Sequence, residues 1–127
     1  QSDLIRCPQL PTTLPTLDEL IGRDCVTEHN VAAHLLEQTK AAGAGAQVYT
    51  LQAELEGMRL APAFEQLLAG WKAQGWTLGS TRTLFESLQA LAQPRCEVGP
   101  GRVAGRSGTL LVQGAEFLAD VDLAQAK

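Results

Sequence analysis

VYTLQAELEG, residues 48–57, is the stretch from which the fold of this chain is predicted. It begins with β-branched and aromatic residues, and it ends in two carboxylates and a glycine. Alternate side chains of a strand point to opposite faces, so Thr50, Gln52, Glu54 and Glu56 would share a polar face. Because α/β proteins place functional groups at the carboxyl ends of strands, this polar end is a candidate edge of a site.

Composition excludes several classes of protein. The chain has 127 residues, of which 45% are hydrophobic and 19% are charged, as in an ordinary globular domain. The net charge of −4 argues against nucleic acid as a partner, because binding to phosphates needs a basic surface. No apolar run approaches the ~20 residues of a membrane span, and the first residues lack the pattern of a signal peptide.

The cysteines indicate the compartment. Cys7, Cys25 and Cys96 are odd in number and widely spaced, so they form neither a disulfide framework nor a C-x-x-C metal pair. We interpret them as reduced thiols, which places the protein in the cytoplasm.

Strands and helices are predicted to alternate along the chain. The predicted strands are residues 10–14, 48–57, 76–80 and 109–113. The predicted helices are residues 16–22, 28–42, 61–75 and 82–92. Thr16 and Glu19 form a capping box at the first helix, while Gly22 and Gly75 are helix stops. Residues 95–127 are rich in glycine, and we expect a hairpin or an irregular tail there, with a frayed end at residues 119–127.

Alternation of strands and helices implies parallel strands with right-handed crossovers. We therefore predict an α/β fold of about three β/α units, either a small open sheet or part of a (β/α) barrel. A complete barrel usually takes about 250 residues, roughly twice this length. Residues 1–127 are expected to form a single unit.

Each candidate site residue also has a purely structural interpretation. Asp18 lies just inside a helix N-terminus, where the macrodipole alone favours a carboxylate. His29 and His34 are five residues apart and point in different directions, so they are expected to be surface or packing residues. Glu54 and Glu56 are either a general acid–base pair or the solvated end of a strand.

Two long stretches carry a resemblance to a known family. LPTTLPTLDELIGRD (residues 10–24) and VYTLQAELEG are similar to the polysaccharide deacetylase family, in its branch of deformylases that act on undecaprenyl-phosphate 4-formamido-arabinose. That branch belongs to the pathway that adds aminoarabinose to lipid A and gives bacteria resistance to cationic peptide antibiotics. The similarity continues through residues 61–75 and GRVAGRSG (residues 101–108), and it covers about residues 7–114.

The resemblance implies a distorted (β/α) barrel that hydrolyses an N-acyl group with a divalent metal. In the family, an Asp and two His hold the metal, a second Asp is the base, and a late His is the acid. The metal and base motifs lie in the first half of the family's sequence, and nothing in this chain matches them. The chain therefore resembles the C-terminal half, and we expect no metal ligands or cofactor in this chain alone.

Two positions of this chain match the last two family motifs. Asp18 resembles the aspartate that orients an active-site arginine, and Gln52 stands where the family has its late histidine. A glutamine amide can donate a hydrogen bond to an oxyanion, but it cannot deliver a titratable proton. Losing a general acid typically costs 10²–10⁴-fold in rate. Gln52 thus indicates decay of function, an engineered inactive variant, or a different activity.

Two hypotheses about function follow. In the first, the chain is part of a metal-dependent deformylase that acts on a lipid-linked sugar at the inner face of the inner membrane, paired with its N-terminal half or as a homo-oligomer. In the second, it is an inactive homologue or a non-catalytic α/β module that binds a partner through Glu54 and Glu56 or through the tail. Open sheet edges and apolar helix faces of a partial barrel would favour pairing in either case.

Overall fold

The computed structural model of the chain describes residues 7–88 and 93–116. The chain divides into two compact units, Leu10–Thr81 and a second that combines Gln1–Gln9 with Arg82–Lys127. The described residues contain five helical segments and one two-stranded antiparallel sheet. None of the described helices has the length and apolar character to span a bilayer.

Helix α1, Leu17–Leu20, is short and is defined by its caps. The predicted capping box of Thr16 and Glu19 is confirmed, and the Thr16 N–H donates to the Glu19 carboxylate at 3.0 Å. Gly22 follows with φ +89°, a conformation that costs glycine little, so it ends the helix as predicted. This short turn exposes Asp18 while Leu17 is fully buried.

Helices α2, Val31–Ala41, and α3, Ala61–Ala73, pack against each other and form most of the core of the larger unit. Pro62 lies in the first turn of α3, and Gly75, with φ +88°, follows its end. Apolar side chains at helical spacing point between these helices. The buried core consists of Leu17, Leu20, Val26, Val31, Ala32, Leu35, Leu60, Ala63, Leu67 and Trp71.

A buried hydroxyl joins the two helices at one end of this core. Thr39 is 2% exposed, and its Oγ1 accepts a hydrogen bond from the Trp71 indole N–H at 3.2 Å. The same hydroxyl lies 2.8 Å from Gln74 Oε1 and 3.0 Å from the Leu36 carbonyl oxygen, either of which can accept its proton. Since a buried donor without a partner is costly, this hydroxyl stabilises the packing of α2 on α3.

We expect Thr39→Val to destabilise the chain by about 1–3 kcal/mol, the usual cost of leaving a buried polar group unsatisfied. The valine keeps the volume but leaves the Trp71 indole N–H without its acceptor. Thr39→Ser, which keeps the hydroxyl, should lose less of the free energy of unfolding. Urea unfolding followed by tryptophan fluorescence measures both variants, and equal losses would show that the hydroxyl contributes nothing.

The predicted parallel sheet and (β/α) barrel are wrong for the part of the chain that the structure describes. Residues 10–14, 48–57 and 76–80 form no strand there. Segments 10–14 and 48–57 do approach each other, since the Thr13 and Leu14 N–H groups both donate to the Val48 carbonyl, at 3.0 and 3.1 Å. A single shared acceptor is not a ladder.

Backbone chemistry explains why these segments form no strands. Pro11 and Pro15 lack N–H donors on either side of the one point of contact, and Thr13 Oγ1 takes the place of a backbone acceptor for the Val48 N–H at 2.8 Å. The Trp76 N–H donates a hydrogen bond to the Trp71 carbonyl oxygen at 3.0 Å, at the end of α3. The segment before Gly57 leaves the extended conformation after Gln52, as described below.

The second unit contains an antiparallel hairpin in the Gly-rich region, one of the two alternatives expected for it. Strand β1, Cys96–Gly101, pairs with β2, Leu110–Glu116, which overlaps the predicted strand at residues 109–113 over residues 110–113. Helix α4, Thr81–Leu88, begins close to its predicted start, and its predicted continuation over residues 89–92 lies outside the described residues. The predicted frayed end at residues 119–127 also lies outside them.

Candidate functional site

The candidate site is a corner where the chain turns from an extended segment into a helix. The N–H groups of Leu55 and Glu56 both donate to the Gln52 carbonyl, at 3.0 and 2.9 Å. A π-helical turn, Leu55–Arg59, follows and is interrupted by non-helical dihedral angles at Met58, φ −129° and ψ −105°. Gln52 therefore lies at the bend itself.

A buried carboxylate stabilises this corner. Glu56 is 3% exposed, and each of its carboxylate oxygens accepts one hydrogen bond. The Tyr49 hydroxyl donates to Oε1 at 2.6 Å, and the Gln52 backbone N–H donates to Oε2 at 2.9 Å. Burying a carboxylate is costly unless it is hydrogen-bonded, so these two donors are what allow it inside.

Tyr49 is fixed from its other side by an aromatic contact. Its ring meets Trp71 edge to face, with centroids 5.4 Å apart and an interplanar angle of 63°. Burial raises the pKa of the Tyr49 phenol well above its ordinary value, and the hydrogen bond to Glu56 and the negative charges of Glu56 and Asp18 raise it further. The hydroxyl is thus a stable donor.

The structure brings together two of the residues that the sequence indicated. Gln52 Nε2 donates a hydrogen bond to Asp18 Oδ1 at 3.3 Å, across 34 positions of the chain. Asp18 is exposed on the first turn of α1, and Gln52 is half-buried at the corner. A carboxylate that holds a polar side chain in place is a common way to orient a catalytic group.

Glu54 and Glu56 do not share a face, contrary to the prediction from strand alternation. The reason is the helical turn that starts after Gln52, because residues two apart in a helix point in different directions. Glu54 is exposed, while Glu56 is buried. A functional role for either carboxylate stays a prediction.

An open groove of about 520 Å³ lies beside the Gln52–Asp18 contact. Its lining mixes charged and apolar side chains, namely those of Asp18, Ile21, Thr27, Glu28, His29, Leu55, Arg59 and Leu60. Arg59 Nε donates to Glu28 Oε2 at 2.7 Å. Arg59 thus has Glu28 as a carboxylate partner. The role of Asp18 in orienting an active-site arginine stays a prediction.

The Arg59–Glu28 pair was not indicated by the sequence. The two residues are 31 positions apart, and the π-helical turn brings them together. Neither residue lies in a motif whose spacing predicts the contact.

We expect Arg59→Ala to change the free energy of unfolding by less than about 1 kcal/mol, because exposed ion pairs contribute little. A larger loss in thermal unfolding would show that the pair organises the groove.

In residues 7–88 and 93–116, no cluster of three or more His, Cys, Asp or Glu side chains could hold a metal ion. His29 and His34 are exposed, which confirms their interpretation as surface residues. The three cysteines are free thiols. The described residues therefore do not fit the metal centre that the resemblance implies for the family.

Comparison with curated proteins finds similarity over part of the chain. Over 61 residues, 48% of this chain, the sequence is 43% identical to a protein of Shewanella sediminis (strain HAW-EB3) described as "Probable 4-deoxy-4-formamido-L-arabinose-phosphoundecaprenol deformylase ArnD". The match covers 19% of that protein, so the chain spans about a fifth of the length of this relative. No family model and no solved structure matches the chain. The chain is thus related to this deformylase over part of its length.

Proposed function

We propose that this chain is the C-terminal portion of a metal-dependent amide hydrolase of the deformylase type. It would contribute positions 18 and 52 to the site, and other parts of the full-length protein would contribute the metal ligands. The observation that carries the proposal is the contact between Gln52 and Asp18, 3.3 Å apart, in a chain related to a deformylase. The absence of a metal cluster from the described residues is the reason for assigning the ligands elsewhere.

The substrate proposed for the complete protein is a formamido sugar carried on a polyprenyl phosphate, since this is the compound in the name of the relative. The reaction would release formate and a free amine, in the pathway that modifies lipid A with aminoarabinose. A lipid-linked substrate would place the protein in the cytoplasm at the inner face of the membrane. The divalent metal that the family implies would supply Lewis-acid chemistry and would be held by residues outside the described part of this chain.

Gln52 can donate a hydrogen bond, as a general acid does, but it cannot transfer a proton. Its amide has two N–H donors, of which one is directed to Asp18, so the amide can also donate to the oxygen that becomes negative during hydrolysis. It cannot supply the proton that a leaving amine needs near neutral pH. We therefore expect weak hydrolysis from the complete protein.

The same residue supports a second candidate function. A glutamine in place of a titratable group suits an inactive homologue that binds a lipid-linked sugar or a protein partner without cleaving an amide. The two candidates differ in whether a histidine at position 52 increases hydrolysis.

Gln52→His in the complete protein is expected to raise amide hydrolysis at least tenfold, in line with the usual contribution of a general acid. Asp18 would accept a hydrogen bond from the imidazole and favour its protonated form. Release of formate from a formamido-sugar substrate measures the rate. The double variant Gln52→His with Asp18→Asn is the control, and it should lose most of the increase. An unchanged rate in Gln52→His would remove residue 52 from the site.

A further inference from the structure

We propose that Glu56, held by Tyr49, is a positioning residue that fixes residue 52 against Asp18. This inference rests on the proposed function and deepens it, because it names the part of the fold that sets the geometry of that site. The interpretation differs from the sequence-based one, in which Glu56 was a binding residue.

The hydrogen bonds of Glu56 favour positioning over contact with a ligand. Its side chain is 3% exposed, and both carboxylate oxygens already accept a hydrogen bond from within the chain. One of these bonds is to the backbone N–H of Gln52, the residue whose side chain reaches Asp18. A displacement of Glu56 would therefore move the backbone from which the Gln52 side chain extends.

Tyr49 provides the rigid support for this carboxylate. Its hydroxyl donates at 2.6 Å, and its ring is held edge to face by Trp71, which is 6% exposed in the core. The contacts form an unbroken series from Trp71 through Tyr49 and Glu56 to Gln52 and Asp18. The core is thus linked to the groove by a ring contact and hydrogen bonds, one of them to the Gln52 backbone, and such support is what preorganised sites require.

The first part of the test is independent of activity and uses the side-chain amide resonances of Gln52 in ¹H–¹⁵N spectra. Asp18→Asn gives the reference shift for a weakened contact. We expect Glu56→Gln and Tyr49→Phe to move the Gln52 resonances toward that reference, with a smaller movement for Tyr49→Phe. Glu54→Gln is the matched control, since Glu54 is exposed two residues away, and it should leave the resonances in place. Tyr49→Phe also serves if Glu56→Gln fails to fold.

The second part measures hydrolysis by the complete protein in the Gln52→His background. A positioning role predicts that adding Glu56→Gln lowers kcat at least tenfold while KM changes less than twofold, because a misplaced catalytic group slows the reaction without weakening binding. If Gln52→His itself is inactive, the proposed function fails, and the amide resonances alone then decide the positioning role. Unchanged Gln52 resonances in folded Glu56→Gln and Tyr49→Phe would overturn it.

Discussion

Leu67→Ala is expected to destabilise the larger unit by about 2–5 kcal/mol, the range for removing a buried leucine side chain and leaving a cavity. Leu67 is fully buried on α3, among the residues that α2 and α3 share. Single domains are stable by only about 5–15 kcal/mol, so this one change removes a large fraction of the total. The effect is large because the surrounding side chains cannot fully fill the space that the leucine leaves.

The measurement is urea unfolding at 25 °C followed by fluorescence of the two tryptophans. Leu78→Ala is the matched control, because Leu78 is 41% exposed and its truncation leaves no enclosed cavity. We expect that variant to lose less than about 1 kcal/mol. Equal losses in both variants would mean that α2 and α3 do not form the stabilising core.

The second large effect is a loss of stability above about pH 10, which we assign to Tyr49. Folding raises the pKa of this phenol above its ordinary value of 10.0, first through burial and then through Glu56. A raised pKa means that the neutral phenol stabilises the fold fully below pH 10 and that this stabilisation is lost as the pH rises further. The slope is at most about 1.4 kcal/mol per pH unit. Screening by solvent around a half-buried ring reduces the pKa shift, and it therefore narrows the pH range over which this slope applies.

Tyr49 is the only tyrosine in the chain, so absorbance at the phenolate band reports it without ambiguity. We expect the phenol of the folded chain to ionise only as the chain unfolds. Glu56→Gln should lower the pKa, because it removes the negative charge beside the hydroxyl. Tyr49→Phe should show a flatter dependence of stability on pH above 10. Titration of Tyr49 in the folded chain at its ordinary value would contradict the buried Tyr49–Glu56 contact.

Local sequence signals predicted the helices well. The capping box at Thr16, the stop glycines Gly22 and Gly75, and the apolar spacing in α3 all act within a few residues of the backbone they control. Such signals need no knowledge of distant partners. The buried faces of α2 and α3 follow from the same periodicity.

The sheet could not be predicted from such local signals, because a strand depends on hydrogen-bonding partners elsewhere in the chain. Alternation in residues 48–57 suits a strand, but it is short, and a helical turn beginning after Gln52 satisfies the same backbone groups. The decisive interaction is the Glu56 carboxylate on the Gln52 N–H, a contact between a side chain and the backbone that a period of two does not indicate. Pro11 and Pro15, two residues before and after Thr13, lack the N–H donors that a neighbouring strand would need.

The site could be predicted only in part. The resemblance singled out Asp18 and Gln52, and the structure places them in contact. The burial of Glu56, its bond to Tyr49 and the Arg59–Glu28 pair all depend on how the corner folds against α3 and the segment before α2. No pattern in the sequence carries that information.

In the proposed function, this chain supplies positions 18 and 52 to a deformylase site, and other parts of the full-length protein supply the metal ligands. Equilibrium dialysis of the purified chain against zinc or cobalt, followed by a formate-release assay on a formamide, tests it most directly. We expect far less than one bound metal ion per chain and no release of formate. One tightly bound ion per chain together with cleavage of the formamide would contradict it.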